Sequence, residues 1–322
     1  MLNVNIAILI NSFNRILLLQ ECIKALKWIT TSSFKDQCII IVFEAGSTDG
    51  SLQWLEQQRS QSSIPLKIII AKEEADHSFA AGVNICAAYA DKKYRHLKYL
   101  LIYETDNQLL SSEPLLQALE QLEKNKALGA CGFTVKKLDG SPAGVGQAFP
   151  SLLNFALGKN VVQLLKLEAI KYKWKVNDKG IAFSEMDVVY TSPLLVKKNA
   201  WKTSGGFDAA LFPFSDCDID WAKRLRKAGW LMGVIRTDAV IHDNQNSISA
   251  WSASRAKQSH QGRLRYFKRH HPISIFIVWP LVLIIRHLFE LTASLFVKNI
   301  YRKHQLEMQF LDLLKSAPKG YQ

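Results

Sequence analysis

Asp216, Asp218 and Asp220 stand at alternate positions of one short segment. Like charges this close repel, so ionising all three requires solvent, a cation or positive neighbours. Leu211, Phe212, Pro213 and Phe214 precede them and Trp221 follows, which suits a carboxylate cluster on a pocket wall. The competing reading is a helix start in which Asp220 caps a helix carrying Lys223, Arg224 and Arg226. A second acidic pair, Glu104 and Asp106, follows an apolar run. Oxygen ligands two residues apart can serve a hard divalent cation, which in turn neutralises a diphosphate. His242 closes the apolar Val240-Ile241 and is either a further metal ligand or a surface or packing residue. Asn14-Arg15 and Gly46-Ser47-Thr48-Asp49-Gly50-Ser51 each open a helical pattern, where glycine permits a tight turn and exposed amides favour an anion or a polar ring edge. An ordinary Ser/Asp helix cap competes with that reading.

The elements that position these residues alternate. Strands are expected at 4–10, 39–43, 66–71 and 99–103, and helices from 16 to about 29, from 51 to about 58, over 79–90 and over 113–124. Short apolar strands alternating with amphipathic helices indicate a mostly parallel sheet covered on both faces. Ligands bind at the carboxyl ends of the strands in such folds, and the polar residues 14–15, 44–49, 104 and 106 sit at those ends. Beyond Leu138 the pattern changes to a turn-rich stretch at 139–146 and a basic segment at 159–179 with Tyr172 and Trp174. A strand-like run at 187–196 and short strands at 230–235 and 239–241 follow.

The chain has 322 residues, 48% hydrophobic content and a formal charge of +13. That length suits one large domain or a domain with an appendage, and no repeat or low-complexity tract points to a solenoid or to disorder. The charge calls for an anionic partner: nucleic acid, phospholipid or nucleotide phosphate. No nucleic-acid-binding module is recognisable. Residues 1–10 are too short for a signal peptide and read as a strand. The five cysteines, Cys22, Cys38, Cys86, Cys131 and Cys217, form no CxxC pair, which fits neither a disulfide framework nor a zinc site and suits a reducing cytoplasm.

Taken together the motifs resemble family 2 glycosyltransferases. Asn11-Ser12-Phe13-Asn14-Arg15 is similar to their opening "T-Y-N-R", and Glu44-Ala45-Gly46-Ser47-Thr48-Asp49-Gly50-Ser51 to "D-N-G-S-T-D-G-S/T". Phe79-Ala80-Ala81-Gly82-Val83-Asn84 resembles "G-F-A-x-G-x-N", and Glu104-Thr105-Asp106 sits where the family carries "D-x-D". Gly205-Gly206-Phe207-Asp208 through Gly229 is similar to "G-G-F-D…E-D-x-D…R-L-R-x-A-G", and His242 with Ser247 to a terminal "H…S". The resemblance covers residues 4 to about 270 in order, and implies a GT-A fold and sugar transfer from a nucleotide donor with inversion. It places Asn14, Arg15, Glu44, Ser47, Asp49, Gly82, Asn84 and Glu104 around the donor. Asp106, Glu104 and His242 would hold a divalent metal, Mg2+ or Mn2+. The general base implied is Asp218 when the motif is counted back from Lys227-Ala228-Gly229, and Asp216 when it is counted forward from Gly205. Glu44 and Glu104 depart from the family's aspartates, and Cys217 departs from its "E-D" pair.

The tail reads differently. Arg263 through Pro272 is a basic, aromatic run leading into the apolar 273–297. A helix over that span would reach roughly 37 Å at about 1.5 Å per residue, enough for a bilayer. Arg286, His287 and Glu290 lie near its middle. Each such charge costs about 2.5–3.5 kcal/mol there against about 0.3–0.6 regained per Leu, Ile, Phe or Val, so spanning is near break-even. An interfacial helix on anionic headgroups and a helix packed on protein both compete. The expected organisation is a GT-A domain at 1–262, with a nucleotide-sugar half at 1–137 and an acceptor half at 138–262, and a helical membrane-associated tail at 263–322. The expected protein works at the cytoplasmic face of the membrane, on a lipid-linked or polysaccharide acceptor. A non-catalytic sugar-nucleotide-binding or scaffold subunit on the same fold is the alternative.

Overall fold

A computed structural model describes residues 3–61, 63–152, 162, 165, 173–243 and 253–271, with 281, 284, 285, 288 and 292, and gives only the backbone over 253–260. The chain divides into two compact units, residues 1–148 with 172–247 and residues 149–171 with 248–322. Among the described residues the first unit carries the strands. They are β1 (Ile6–Ser12), β2 (Cys38–Glu44), β3 (Leu66–Ile70), β4 (Tyr99–Ile102), β5 (Asn107–Leu109), β6 (Leu128–Phe133) and β7 (Gly146–Gln147). After them come β8 (Lys175–Val176), β9 (Ala182–Met186), β10 (Val188–Val189), β11 (Leu194–Lys197), β12 (Leu231–Ile235) and β13 (Val240–His242).

Nine strands form one sheet in the order β3-β2-β1-β4-β11-β6-β12-β9-β8. β3, β2, β1 and β4 are mutually parallel, and β6 pairs parallel with β12, while β11 and β9 run against their neighbours. The mostly parallel sheet is thus present with two reversed strands. Two-stranded ribbons, β10–β7 and β13–β5, stand apart from it.

β1 and β2 are apolar up to their carboxyl ends, Asn11-Ser12 and Glu44, because they are covered on both faces. On one face Ile6, Ile8, Ile10, Ile40 and Val42 join Leu19 and Cys22 of α1 (Ile16–Ala25), Leu55 of α2 (Ser51–Gln61) and Leu115 and Leu122 of α4 (Glu113–Lys124) in the core. On the other, α3 (Phe79–Lys93) packs on β1 and β2. Gly82 makes that approach possible: a Cβ there would lie 2.7 Å from Asn11 Oδ1 and 2.8 Å from Phe43 Cδ1.

Three local expectations are corrected. The first helix stops at Ala25 and continues as a 3-10 turn over Lys27–Thr30. The strand-like run 187–196 is two strands, β10 and β11, parted by a loop that carries Tyr190, Thr191 and Ser192. A short helix, α5 (Lys198–Ser204), follows β11, and the helix of the aspartates, α6 (Cys217–Lys227), begins at Cys217, so Asp220 does not cap it. Cys217, Ile219 and Trp221 are all buried, and burying them draws the helix start back to put Asp216 at the cap position in a left-handed conformation.

In the second unit α7 (Ala253–His270) covers part of the basic run and buries Leu264, Tyr266 and Phe267. Among the described residues no helix is long and apolar enough to cross a membrane. Ser247, the expected apolar span 273–297 apart from 281, 284, 285, 288 and 292, and residues 159–172 of the basic segment 159–179, apart from 162 and 165, lie outside the described residues. All five cysteines are free and buried.

Candidate active site

β1, β2 and β4 lie side by side in parallel, so their carboxyl ends bring three loops to one edge. The first two loops are tied together. Asn14, at φ 48°, accepts the Thr48 amide on Oδ1 at 2.8 Å, and its own amide donates to Ser47 Oγ at 3.0 Å. Asp49 Oδ2 accepts the Ile16 amide at 2.8 Å, where α1 begins, and Oδ1 accepts the Ser51 amide and hydroxyl at 3.1 and 2.6 Å, where α2 begins. One carboxylate thereby serves two helix starts. Slight burial would raise the Asp49 carboxyl, but the bonds from Ser51 and Ile16 outweigh it and hold it below the usual range. Glu44 is buried and accepts the Gly46 and Ser47 amides at 3.1 and 2.8 Å, so its longer side chain folds back onto its own loop. Gly46 packs beside His77, whose ring nitrogens lie 2.8 Å from the Ala45 carbonyl and 2.9 Å from that of Lys72. Only the imidazolium donates from both nitrogens, and these two carbonyls, in that order, raise the His77 pKa.

Asn84 lies one turn along α3. Its Nδ2 donates to the Phe207 carbonyl at 2.7 Å and its Oδ1 accepts the Phe207 amide at 3.0 Å, stapling the Gly205-Gly206-Phe207 turn to α3.

The loop after β4 carries the acidic pair. β5 leaves it at once and pairs antiparallel with β13, which sets His242 opposite Asn107. Glu104, Asp106 and His242 consequently converge, with one potential ligand atom from each inside 4.8 Å of the others. His242 Nε2 stands 3.4 Å from Asp106 Oδ1, and Arg15 Nη1 stands 3.3 Å from Asp106 Oδ2. Burial would raise the Asp106 carboxyl, but His242 and Arg15 outweigh it and hold it low. Burial would lower His242, yet Asp106, Glu104 and Asp243 outweigh it and raise its pKa. Two carboxylates and an imidazole fit a divalent cation. The buried Asp106 Oδ1 accepts no hydrogen bond of ordinary geometry and meets the His242 ring at 3.4 Å, on the side where such an ion would sit between them.

The late aspartates part company on the helix. Asp220 is fully buried and accepts Arg224 Nε at 2.8 Å, while Arg224 Nη2 donates to the Gly206 carbonyl at 2.6 Å and Nη1 to that of Ser204. Asp218 lies about half a turn away and is half-buried. Burial first, then the negative charges of Asp216 and Glu104, push its carboxyl up to about 7 against the Ile219 amide's opposing bond. A carboxyl near neutrality can both take and return a proton at working pH. The electrostatic link to Glu104 ties Asp218 to the acidic group after β4.

Two residues here gave no sequence signal. Thr191 and Ser192 donate to Glu104 Oε1 at 2.6 and 2.9 Å from the loop before β11.

A mostly parallel sheet with two reversed strands, helix-start loops at its carboxyl edge and an acidic group with histidine is the architecture of the GT-A glycosyltransferase fold. The model of glycosyl transferase family 2 matches residues 7–170, and the chain belongs to that family. The members of that family are glycosyltransferases. The N-acetylglucosaminyl-diphospho-decaprenol L-rhamnosyltransferase of Mycobacterium tuberculosis is 32% identical over 80 residues, a match spanning 25% of this chain and 26% of that protein. In fold the chain is similar to the mannosyltransferase PcManGT of Pyrobaculum calidifontis, solved with GDP-Man and Mn2+ (TM-score 0.54, 13% identity, 98% of this chain and 82% of that one). It is also similar to residues 1–349 of S. aureus TarS, solved with UDP-GlcNAc (TM-score 0.52, 13% identity, 97% and 90%).

Proposed function

We propose that the protein transfers a sugar, with inversion, from a nucleoside-diphosphate donor to a hydroxyl of a lipid-linked or polymer-attached glycan in surface-polysaccharide assembly. The observation that carries this reading is the convergence of Glu104, Asp106 and His242 at the carboxyl edge of the sheet, and the Asp218 carboxyl, pushed up to about 7 in part by the Glu104 charge, supports it. Asp218 takes the proton of the acceptor hydroxyl as that oxygen bonds to the anomeric carbon. The bond to the diphosphate oxygen breaks on the opposite face, and the nucleoside diphosphate departs. Glu104, Asp106 and His242 would hold Mg2+ or Mn2+, which supplies positive charge to the departing diphosphate when bound. Arg15, now paired with Asp106, adds a second positive group at the same edge. The braced loops at 14–16 and 44–51 present the surface for the nucleoside. Support for a lipid-linked acceptor comes from the rhamnosyltransferase relative, whose name specifies one. The basic run at 263–271 supports work at the cytoplasmic face of a membrane.

The test is Asp218→Asn. Transfer drops by about 10²–10⁴-fold while nucleotide-sugar binding, read by thermal shift, persists. An Asp218→Asn enzyme with full turnover, paired with an inactive Asp216→Asn, moves the base to Asp216.

A further inference from the structure

We infer that Thr191 and Ser192 are positioning residues that fix Glu104 for metal binding, an inference resting on the reading of Glu104, Asp106 and His242 as a cation site. β11 runs antiparallel to β4 with Leu194 opposite Ile102. Continuing that register by two positions sets Ser192 opposite Glu104. Both hydroxyls, themselves buried, donate to the same oxygen, Oε1, at 2.6 Å from Thr191 and 2.9 Å from Ser192. Oε2 accepts no hydrogen bond among the described residues and is the carboxylate's open donor.

The need for such a latch follows from the side chain. Glutamate has one more rotatable bond than aspartate, so holding its carboxylate in one place costs more conformational entropy. Its neighbours add to the difficulty: Asp106 lies in the same group and the charges of Glu104 and Asp218 repel. Without a cation this repulsion drives the carboxylate away from the cluster. Two short bonds to a charged acceptor oppose that swing and turn the remaining oxygen toward the site. Outer partners of this kind orient ligands and tune affinity.

The experiment titrates the full-length protein with Mn2+ alone and follows free Mn2+ by electron paramagnetic resonance. T191V/S192A weakens Mn2+ binding by about 10- to 100-fold, the range seen when a ligand loses its outer partners. Thr191→Ser, which keeps the hydroxyl, binds as the wild type does. In a Glu104→Gln background the same two substitutions change nothing further. Metal-free melting checks that each variant is folded, and the single variants T191V and S192A replace the double one if it is not. A hydroxyl-free variant with wild-type Mn2+ affinity, beside a weakened Asp106→Asn, overturns the positioning role and leaves the metal site standing. An equal loss in the Glu104→Gln background also overturns it, because the hydroxyls then act other than through Glu104. A wild-type protein that binds no Mn2+ overturns the metal-site reading itself, and this inference with it.

Discussion

A base works only when deprotonated, so Asp218, as the base proposed above and with its carboxyl raised to about 7, would set the acid limb of the transfer reaction. Turnover falls as pH drops below about 7, far above where an ordinary aspartate would place the limb. Asp216→Asn removes the second-largest cause of the shift, after burial. As an order of magnitude, like charges at roughly 7 Å and an effective dielectric of about 20 repel by about 2.4 kcal/mol, roughly 1.7 pK units. Asp216 is itself only half-buried, and screening trims this to about one unit. The midpoint of the acid limb therefore moves down by about one pH unit in Asp216→Asn. The assay is steady-state release of nucleoside diphosphate at saturating donor and acceptor between about pH 5 and pH 9. A wild-type limb below about pH 5, or a midpoint unmoved by Asp216→Asn, refutes the reasoning. Stability gives an independent check on the same carboxyl. Its folded pKa lies above the ordinary value of 3.8, so its contribution is fully present below about 3.8 and is lost as pH rises toward about 7. Asp218→Asn accordingly stabilises the fold at about pH 8, by up to about 4 kcal/mol, and leaves it unchanged at about pH 4.

Other expectations follow from the braces around the site. Asp220→Ala leaves Arg224 partly buried without its carboxylate, and urea unfolding registers a loss of about 3–5 kcal/mol. Gly82→Ala forces α3 away from Asn11 and Phe43, which costs about 1–3 kcal/mol in the same measurement. His77 has a raised pKa, so its clasp on the Ala45 and Lys72 carbonyls is complete below the unfolded value near 6.5 and is lost as pH rises through the folded one. Amide exchange over residues 45–51, corrected for its intrinsic pH dependence, therefore gains protection at about pH 6 relative to pH 8.5, and His77→Leu abolishes the difference.

The strand–helix alternation of the first 124 residues was legible because its signals are local: buried strands such as β2 are continuously apolar, and α4 shows a helical period with Pro114 in its first turn. What the sequence hid is non-local. β11 crosses into the sheet between β4 and β6, joining strands far apart in the chain, and no local pattern announces that insertion. The same crossover delivers Thr191 and Ser192 to Glu104, and two ordinary hydroxyl residues before a proline carry no local sign of it. The start of α6 was misread for a related reason. Aspartates favour cap positions, but the burial of Cys217, Ile219 and Trp221 decides where the helix begins, and that is settled by the partners they pack on.

Motif matching also cannot distinguish a residue that touches a ligand from one that shapes the place where a ligand goes. Asn14 and Asp49 accept backbone amides on their side-chain oxygens, Asn84 both donates to and accepts from the Phe207 backbone, and Glu44 accepts two amides of its own loop, one on each oxygen. A side chain satisfied in this way gives up protein hydrogen bonds before it can make new ones to a ligand, so its replacement acts first on loop order. Asp106, Glu104 and Asp218 are different. Each keeps either a carboxylate oxygen free of ordinary hydrogen bonds or a pKa displaced by burial and like charge. Substitutions in the first group should change donor affinity and backbone exchange together. Substitutions in the second should leave exchange alone and alter metal binding or turnover. An Asn14→Ala variant with normal loop protection but no donor binding would place Asn14 in the second group and break the division.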